Sequence, residues 1–332
     1  MWRTSAAAFA LALLAPAMAA DAPRASLAAR EGEVVWYTAM NTSDTEPLRR
    51  RFEQDHPGVK LVVLRQPGEK VRMRILNEAQ AGRFLWDVVS FNALDMDGLE
   101  RAHMLADYRS PETASGYPPG AVQDQGRWTA IYVRQYVIGY NTRLVAPGDA
   151  PRDWPDLLAP RWKGKLALDV DEVEWYAGMV DAMGRDKGTA FMAALARQSP
   201  QFRRGHSLLT SLLVAGDFPL AVVHIAEIEE ARKSGAPVDW VRTLDPIVTS
   251  PSEVAISARA PHPNAARLFV DFLLSAEGQG LIASRGRLPA RTDAGGEPRA
   301  ALKVHYIKAS LARDFERYER EYADTFLKGR NP

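Results

Sequence analysis

Residues 128–140 read WTAIYVRQYVIGY, a run of aromatic and β-branched residues whose single charge is Arg134. Strands usually run to ~5–6 residues, so one this long is expected to cross between two lobes. The chain ahead of it alternates element types. EVVWY (33–37) is β-rich and ends in polar Thr38-Ala39-Met40-Asn41. Residues 45–56 have helical spacing with Leu48 and Phe52 apolar, and His56-Pro57-Gly58 stops that helix. VKLVVL (59–64) reads as a second strand, 69–81 as a helix with Val71, Ile75, Leu76 and Ala79 inward, and WDVVS (86–90) as a third strand. This β-α-β-α-β order predicts a parallel sheet.

Beyond the long strand, WPDLLAPRWKGK (154–165) is a loop region, and 166–169 is a strand. VDEVEWY (170–176) then opens a helix. Residues 191–197 and 207–215 read as helical, and FPLAVVHI (218–225) as a buried strand running into AVVHIAEIEE (221–230). The β-prone stretch 248–257 is expected to return the chain to the first lobe. Helices follow over 264–274, 277–283 and 313–325; the last carries Phe315, Tyr318, Tyr322 and Phe326 at core-packing spacing.

A chain of 332 residues fits two compact lobes better than one core, and 46% hydrophobic with 25% charged residues is an ordinary soluble composition. Residues 1–19 have one positive charge (Arg3), an apolar stretch from Ala6 to Ala15 and a small-x-small Ala17-Met18-Ala19, the pattern of a signal peptide. That apolar run is too short for the ~20 residues of a membrane span. With no cysteine, disulfides, lipid-modified cysteine anchors, thiolate metal sites and cysteine nucleophiles are all excluded. Loss of Arg3 leaves 41 basic residues against 41 acidic ones, and no basic run, which argues against nucleic acid as a partner.

Ligands of open parallel sheets sit beyond the carboxyl ends of the strands, which points to Thr38 to Asn41 and to Phe91-Asn92-Ala93. Asn41 and Asn92 read equally well as helix caps. Asp171 and Glu172 suit the first turn of a helix, whereas Glu174 followed by Trp175 and Tyr176 suggests a recognition cleft. His224 and Glu227, three apart, are candidate metal ligands, candidate hydrogen-bonding groups for a solute, or the mark of a strand becoming a helix. No G-x-S-x-G or H-E-x-x-H set is present, and the six histidines show no partner pattern. A secreted hydrolase using Glu and Asp as acid and base is the enzymatic alternative.

Four stretches, EGEVVWYTAMN (31–41), RQYVIGYNT (134–142), WPDLLAPRWKGK and APHPNAARLFVDFLLSAEGQ (260–279), resemble periplasmic solute-binding proteins of ABC importers. The branch is the one that includes ferric-ion-binding proteins. The resemblance covers nearly the whole chain after the signal segment. It implies an α/β, two-lobed type II periplasmic-binding fold with two hinge-crossing strands, lobe 1 being 20–130 plus 250–332 and lobe 2 being 131–249. It also implies a periplasmic monomer without cofactor or catalysis, which captures a solute in the cleft and passes it to a membrane permease served by a cytoplasmic ATPase. Delivery to a membrane sensor kinase is a further alternative. By the same resemblance, Asn41 falls where iron binders have a metal-contacting residue, Asn92 where some have a ligand Glu, and Arg134 on the family's strand arginine. Where ferric binders hold an anion on small hydroxyl residues and glycine, this chain has Glu172-Val173-Glu174. Where they carry adjacent tyrosines, it has Ala226-Glu227, or Ile225-Ala226 in the register slipped by one. The expected ligand set is therefore Thr38, Asn41, Asn92, Arg134, Glu172, Glu174, Trp175, Tyr176, His224 and Glu227. The expected ligand is a small organic solute with a cationic or many-hydroxyl part and a carboxylate. The alternative is a ferric or other metal ion on His224, Glu227, Glu172 and Glu174.

Overall fold

The computed structural model describes residues 16–123, 125–294 and 302–328; the expected signal segment lies outside them as far as residue 15. The described chain opens with helix α1 (Pro16–Glu31), which the sequence pattern did not suggest. There follow β1 (Glu33–Thr38), α2 (Thr42–Asp55), β2 (Lys60–Arg65), α3 (Gly68–Gln80), β3 (Val88–Asn92) and α4 (Ala93–Arg101). β1 pairs with both β2 and β3 in parallel, the arrangement expected from the alternating pattern.

The long run forms β4 (Thr129–Asn141). Beyond it lie β5 (Leu166–Asp169), α5 (Val173–Met183), α6 (Arg185–Ala196), β6 (Gln201–Arg203), α7 (His206–Ala215), β7 (Leu220–His224), α8 (Ile225–Lys233) and β8 (Val238–Trp240). The chain then returns through β9 (Ile247–Ile256) and finishes with α9 (Pro263–Leu274), α10 (Ala276–Ser284), β10 (Leu288–Pro289), β11 (Val304–Tyr306) and α11 (Phe315–Tyr322). The strands order as β2-β1-β3-β9-β4-β7-β5-β6, with β8 and β10 added on β4 and β11 on β9.

β4 changes partners along its length. Residues from Thr129 to Gln135 pair antiparallel with β9, and those from Tyr136 to Asn141 pair with β7 and β8. β9 in turn pairs with β3 through Ser252 to Ile256. These two strands therefore carry the backbone from the first half of the molecule to the second, giving the two-lobed type II periplasmic-binding architecture.

Each half has its own apolar core. In the first, Trp36 and Phe52 each meet Phe269 of α9 edge-on at 5.1 Å. The start of α9 is held by the Glu31 carboxylate at the end of α1, which accepts from the backbone amides of Asn264 and Ala265 at 3.0 and 2.7 Å. In the second core, α5 rests on β9 so closely that a Cβ at Gly178 would lie 2.4 Å from Val248 Cγ1.

Two expectations are corrected by this packing. Trp175 and Tyr176 are core residues, not cleft residues: Trp175 packs against Trp154 at 5.4 Å, and Tyr176 meets Tyr318, Tyr322 and Phe326. The C-terminal aromatic stripe thus joins the core of the second half, although 250–332 was assigned to the first as a block. The physical reason is the same for both, since an aromatic surface on α5 and an aromatic stripe on α11 leave water together. Phe315 stays only partly buried, and a π-turn at Ala323–Leu327 brings Phe326 under Tyr322. Among the described residues no helix is long and apolar enough to cross a membrane.

Candidate functional site

β5 runs parallel to both β6 and β7, and α7 and α8 begin within three residues of the strands they follow, as α5 does soon after β5. The carboxyl ends of these strands and the amino ends of the helices therefore share one edge, where ligands of such sheets bind. Asp169, last in β5, fixes this edge. Its carboxylate accepts from the amides of Asp171 at 3.0 Å and Gly205 at 2.8 Å. Gly205 has φ +94°, a conformation that a side chain disfavours, and it sets His206 as the first residue of α7.

Two histidine–carboxylate pairs meet there. His206 Nε2 lies 3.3 Å from Glu172 Oε1, and His224 Nδ1 lies 3.3 Å from Glu227 Oε1. The imidazoles face each other with centroids 3.7 Å apart. Tyr136 of β4, paired in register with His224, sets its ring edge-on to both, at 4.8 Å from His224 and 5.9 Å from His206. Its hydroxyl donates to Glu174 Oε2 at 3.3 Å. That same oxygen accepts from Arg134 Nη2 and from Ser250 Oγ, both at 2.8 Å. Arg134 Nη2 also donates to Ser250 Oγ at 2.9 Å. A clamp made of β4, α5 and β9 thus adjoins the histidine cluster through a single tyrosine.

Burial governs the electrostatics. It pushes the Glu172 carboxyl above its usual range, against the pull of His206. Burial works to lower His206, yet the Glu172 charge, with Asp169 and Glu227 behind it, prevails and raises it. His224 is pulled down to about 4 by burial and by His206 facing it. Glu227 resists burial and is held low, chiefly by its hydrogen bond to His224. Arg134 is held firmly charged by Glu174, which outweighs burial. Four polar atoms of the cluster are buried with no hydrogen-bond partner: Glu172 Oε2, His206 Nδ1, His224 Nε2 and Glu227 Oε2.

The candidates of the first half lie elsewhere and are occupied. Thr38 Oγ1 shares a hydrogen bond with Ser90 Oγ at 2.7 Å and accepts from the Met40 amide at 3.0 Å. Asn92 caps α4 by accepting from the Asp95 amide at 2.9 Å. Asn41, exposed at the start of α2, accepts from Arg65 at 3.2 Å. Burial raises the Asp95 carboxyl against the pull of Arg72, with which it pairs at 3.0 Å.

Of the ten expected residues the structure gathers five, Arg134, Glu172, Glu174, His224 and Glu227. Tyr136, His206 and Ser250 complete the group and were not singled out from the sequence. The histidines also have a pattern: His206, His224, His262 and His305 each face a carboxylate, the last two with Asp87 at 2.9 Å and Asp181 at 2.8 Å. Ile225 and Ala226 instead line a groove of about 790 Å³ between α8 and β8 on one side and residues 283–289 on the other. Among the described residues no group of three or more His, Asp or Glu is arranged to hold a metal ion.

Two cores, two crossing strands and a polar cluster at the carboxyl edge define a two-lobed ligand-binding protein. The chain belongs to the bacterial extracellular solute-binding protein family, which residues 88–308 match. It is 23% identical over 284 residues to the Fe(3+)-binding periplasmic protein of Serratia marcescens, covering 82% of each chain. Its fold is similar to that of iron-bound HitA from Pseudomonas aeruginosa, with TM-score 0.73 at 19% identity, covering 89% of this chain and 99% of the other. It is also similar to AfuA from Actinobacillus pleuropneumoniae with fructose-6-phosphate bound, with TM-score 0.67 at 22% identity, covering 90% and 99%.

Proposed function

We propose that this chain is the periplasmic solute-binding component of an ABC importer. It takes a small polar organic solute between its lobes and delivers it to a membrane permease served by a cytoplasmic ATPase, as a monomer without cofactor or catalysis. In this reading lobe 1 is built on 20–130 plus 250–294, lobe 2 on 131–249 with the C-terminal stripe docked on it, and closure bends β4 and β9.

The observation that carries the reading is the clamp on the crossing strands. Arg134 commits Nη2 to Glu174 and Ser250 while its side chain stays 37% exposed, so the rest of the guanidinium is free to meet an anionic group of the solute. Mass spectrometry of the natively purified protein identifies that solute. Isothermal titration of Arg134→Ala should then show a loss of about tenfold or more, the scale of a charge-assisted hydrogen bond. Unchanged affinity would sink the clamp as a binding element.

A ferric reading is favoured by the Serratia relative's name and by iron-bound HitA. Against it stands the β7–α8 junction, where Ile225 and Ala226 or Glu227 occupy the place of the tyrosine pair whose phenolates suit Fe(III). Stoichiometric iron in metal analysis of the purified protein would replace the organic reading.

A further inference from the structure

We infer that Glu172, His206, His224 and Glu227 form a seat for a protonated amine, so that the solute is a zwitterion with its ammonium in this seat and its anion on Arg134. The inference rests on the solute-binding reading above and names the class of solute.

The argument is a count of donors against acceptors. His224 turns Nδ1 to the Glu227 carboxylate at 3.3 Å, which places its hydrogen on that nitrogen and leaves Nε2 as a lone-pair acceptor. Burial keeps this imidazole neutral. His206 turns Nε2 to Glu172 at 3.3 Å, and its buried Nδ1 offers at most one donor. Glu172 Oε2 and Glu227 Oε2 accept only. The unspent set is therefore three acceptors and one donor, all shielded from solvent.

Leaving such atoms unpaired in the interior is unfavourable, so what enters must bring donors. An ammonium brings three N–H donors and a positive charge. That charge suits the two carboxylates. A carboxylate or phosphate would meet acceptors here and be repelled, but it fits the guanidinium of Arg134. The two subsites are one tyrosine apart, since the Tyr136 ring lies against His224 at 4.8 Å while its hydroxyl reaches Glu174 at 3.3 Å. That spacing suits a short chain between the two charged ends.

The test is isothermal titration of the mature protein, freed of co-purified small molecules. The probes are β-alanine, 4-aminobutyrate and 5-aminopentanoate, with butyrate and butylamine as singly charged controls and fructose-6-phosphate and ferric citrate as competitors. At least one amino acid should bind about 100-fold more tightly than either control, as two charge-assisted contacts predict. Glu227→Gln should reduce that affinity about tenfold without weakening butyrate binding, with its thermal midpoint checking that the fold is intact. Tightest binding by fructose-6-phosphate, or equal binding of butyrate and 4-aminobutyrate, would overturn the seat and leave the solute-binding reading standing, whereas tightest binding by ferric citrate would overturn the seat and the organic reading with it. If none of the probes binds, native mass spectrometry decides: a retained solute with an amine supports the seat, one without an amine overturns it, and only solvent in the protein overturns both readings.

Discussion

The strand ends of the two halves share one topology and differ in how their polar groups are used. In the first half, Thr38 is bonded to Ser90, Asn92 to the start of α4 and Asn41 to Arg65. In the second half, Glu172, His206, His224 and Glu227 pair with one another and still leave four buried atoms unpartnered. A polar group that closes its own helix or strand stabilises the fold locally and has little left for a ligand. One that is buried and half used carries a standing cost that binding can relieve. By that criterion the proposed recognition groups are concentrated in the second half and on the crossing strands.

The sharpest way to break this contrast lies inside α5, where Glu174 belongs to the clamp and the very next residue to the core. Trp175 is fully buried against Trp154, so Trp175→Ala should lower the unfolding free energy by about 3–5 kcal/mol. Urea unfolding reads that loss as a fall in midpoint. A near-neutral result would mean that the aromatic pair is not core and that the boundary between site and scaffold is misplaced.

The next effect is smaller and depends on pH. His224 has an ordinary value near 6.5 when unfolded and about 4 when folded. Between those values the unfolded chain binds the extra proton, so this group's contribution is complete above 6.5 and is lost as pH falls toward 4. The gap caps the loss at about 3 kcal/mol. Glu172, raised in the fold above its ordinary carboxylate range, acts in the opposite direction as pH falls and offsets part of it, whereas His206, raised from 6.5, makes its change above this window. His224→Gln should therefore flatten the decline in urea midpoint between pH 6.5 and 4; parallel profiles would falsify the assignment of that decline to His224.

Much of the scaffold was legible because its signals are local. The β-α-β-α-β pattern, the long β4 and the strand 166–169 follow from hydrophobic periodicity and turn residues. Half of the expected site was legible too: Glu172, Glu174, His224 and Glu227 follow strand ends that the pattern itself locates, and Arg134 is the single charge of the long strand. His206 was not, because β6 is three residues without periodicity and gives no strand end to read from. An Asp closing one strand and a Gly-His opening the next helix was the signal available, and it matters only once β5 and β6 lie side by side. Trp175, Tyr176 and the C-terminal stripe were misplaced for a related reason. An aromatic residue suits a cleft and a core equally; Trp175 joins the core through Trp154, and Tyr176 through an element more than a hundred residues away.

The smallest effect tests the first half. Asn92 accepts from the Asp95 amide and so satisfies one of the open amides of α4. Asn92→Ala should cost about 1 kcal/mol of stability, the usual worth of such a cap, and leave solute affinity unchanged. Asn41, which starts α2 without a side-chain cap bond and touches only exposed Arg65, should cost less still when replaced by Ala. If instead Asn92→Ala weakened solute binding while leaving the urea midpoint in place, the cap would be a ligand contact made on closure. Recognition would then be divided between the two halves rather than concentrated in one.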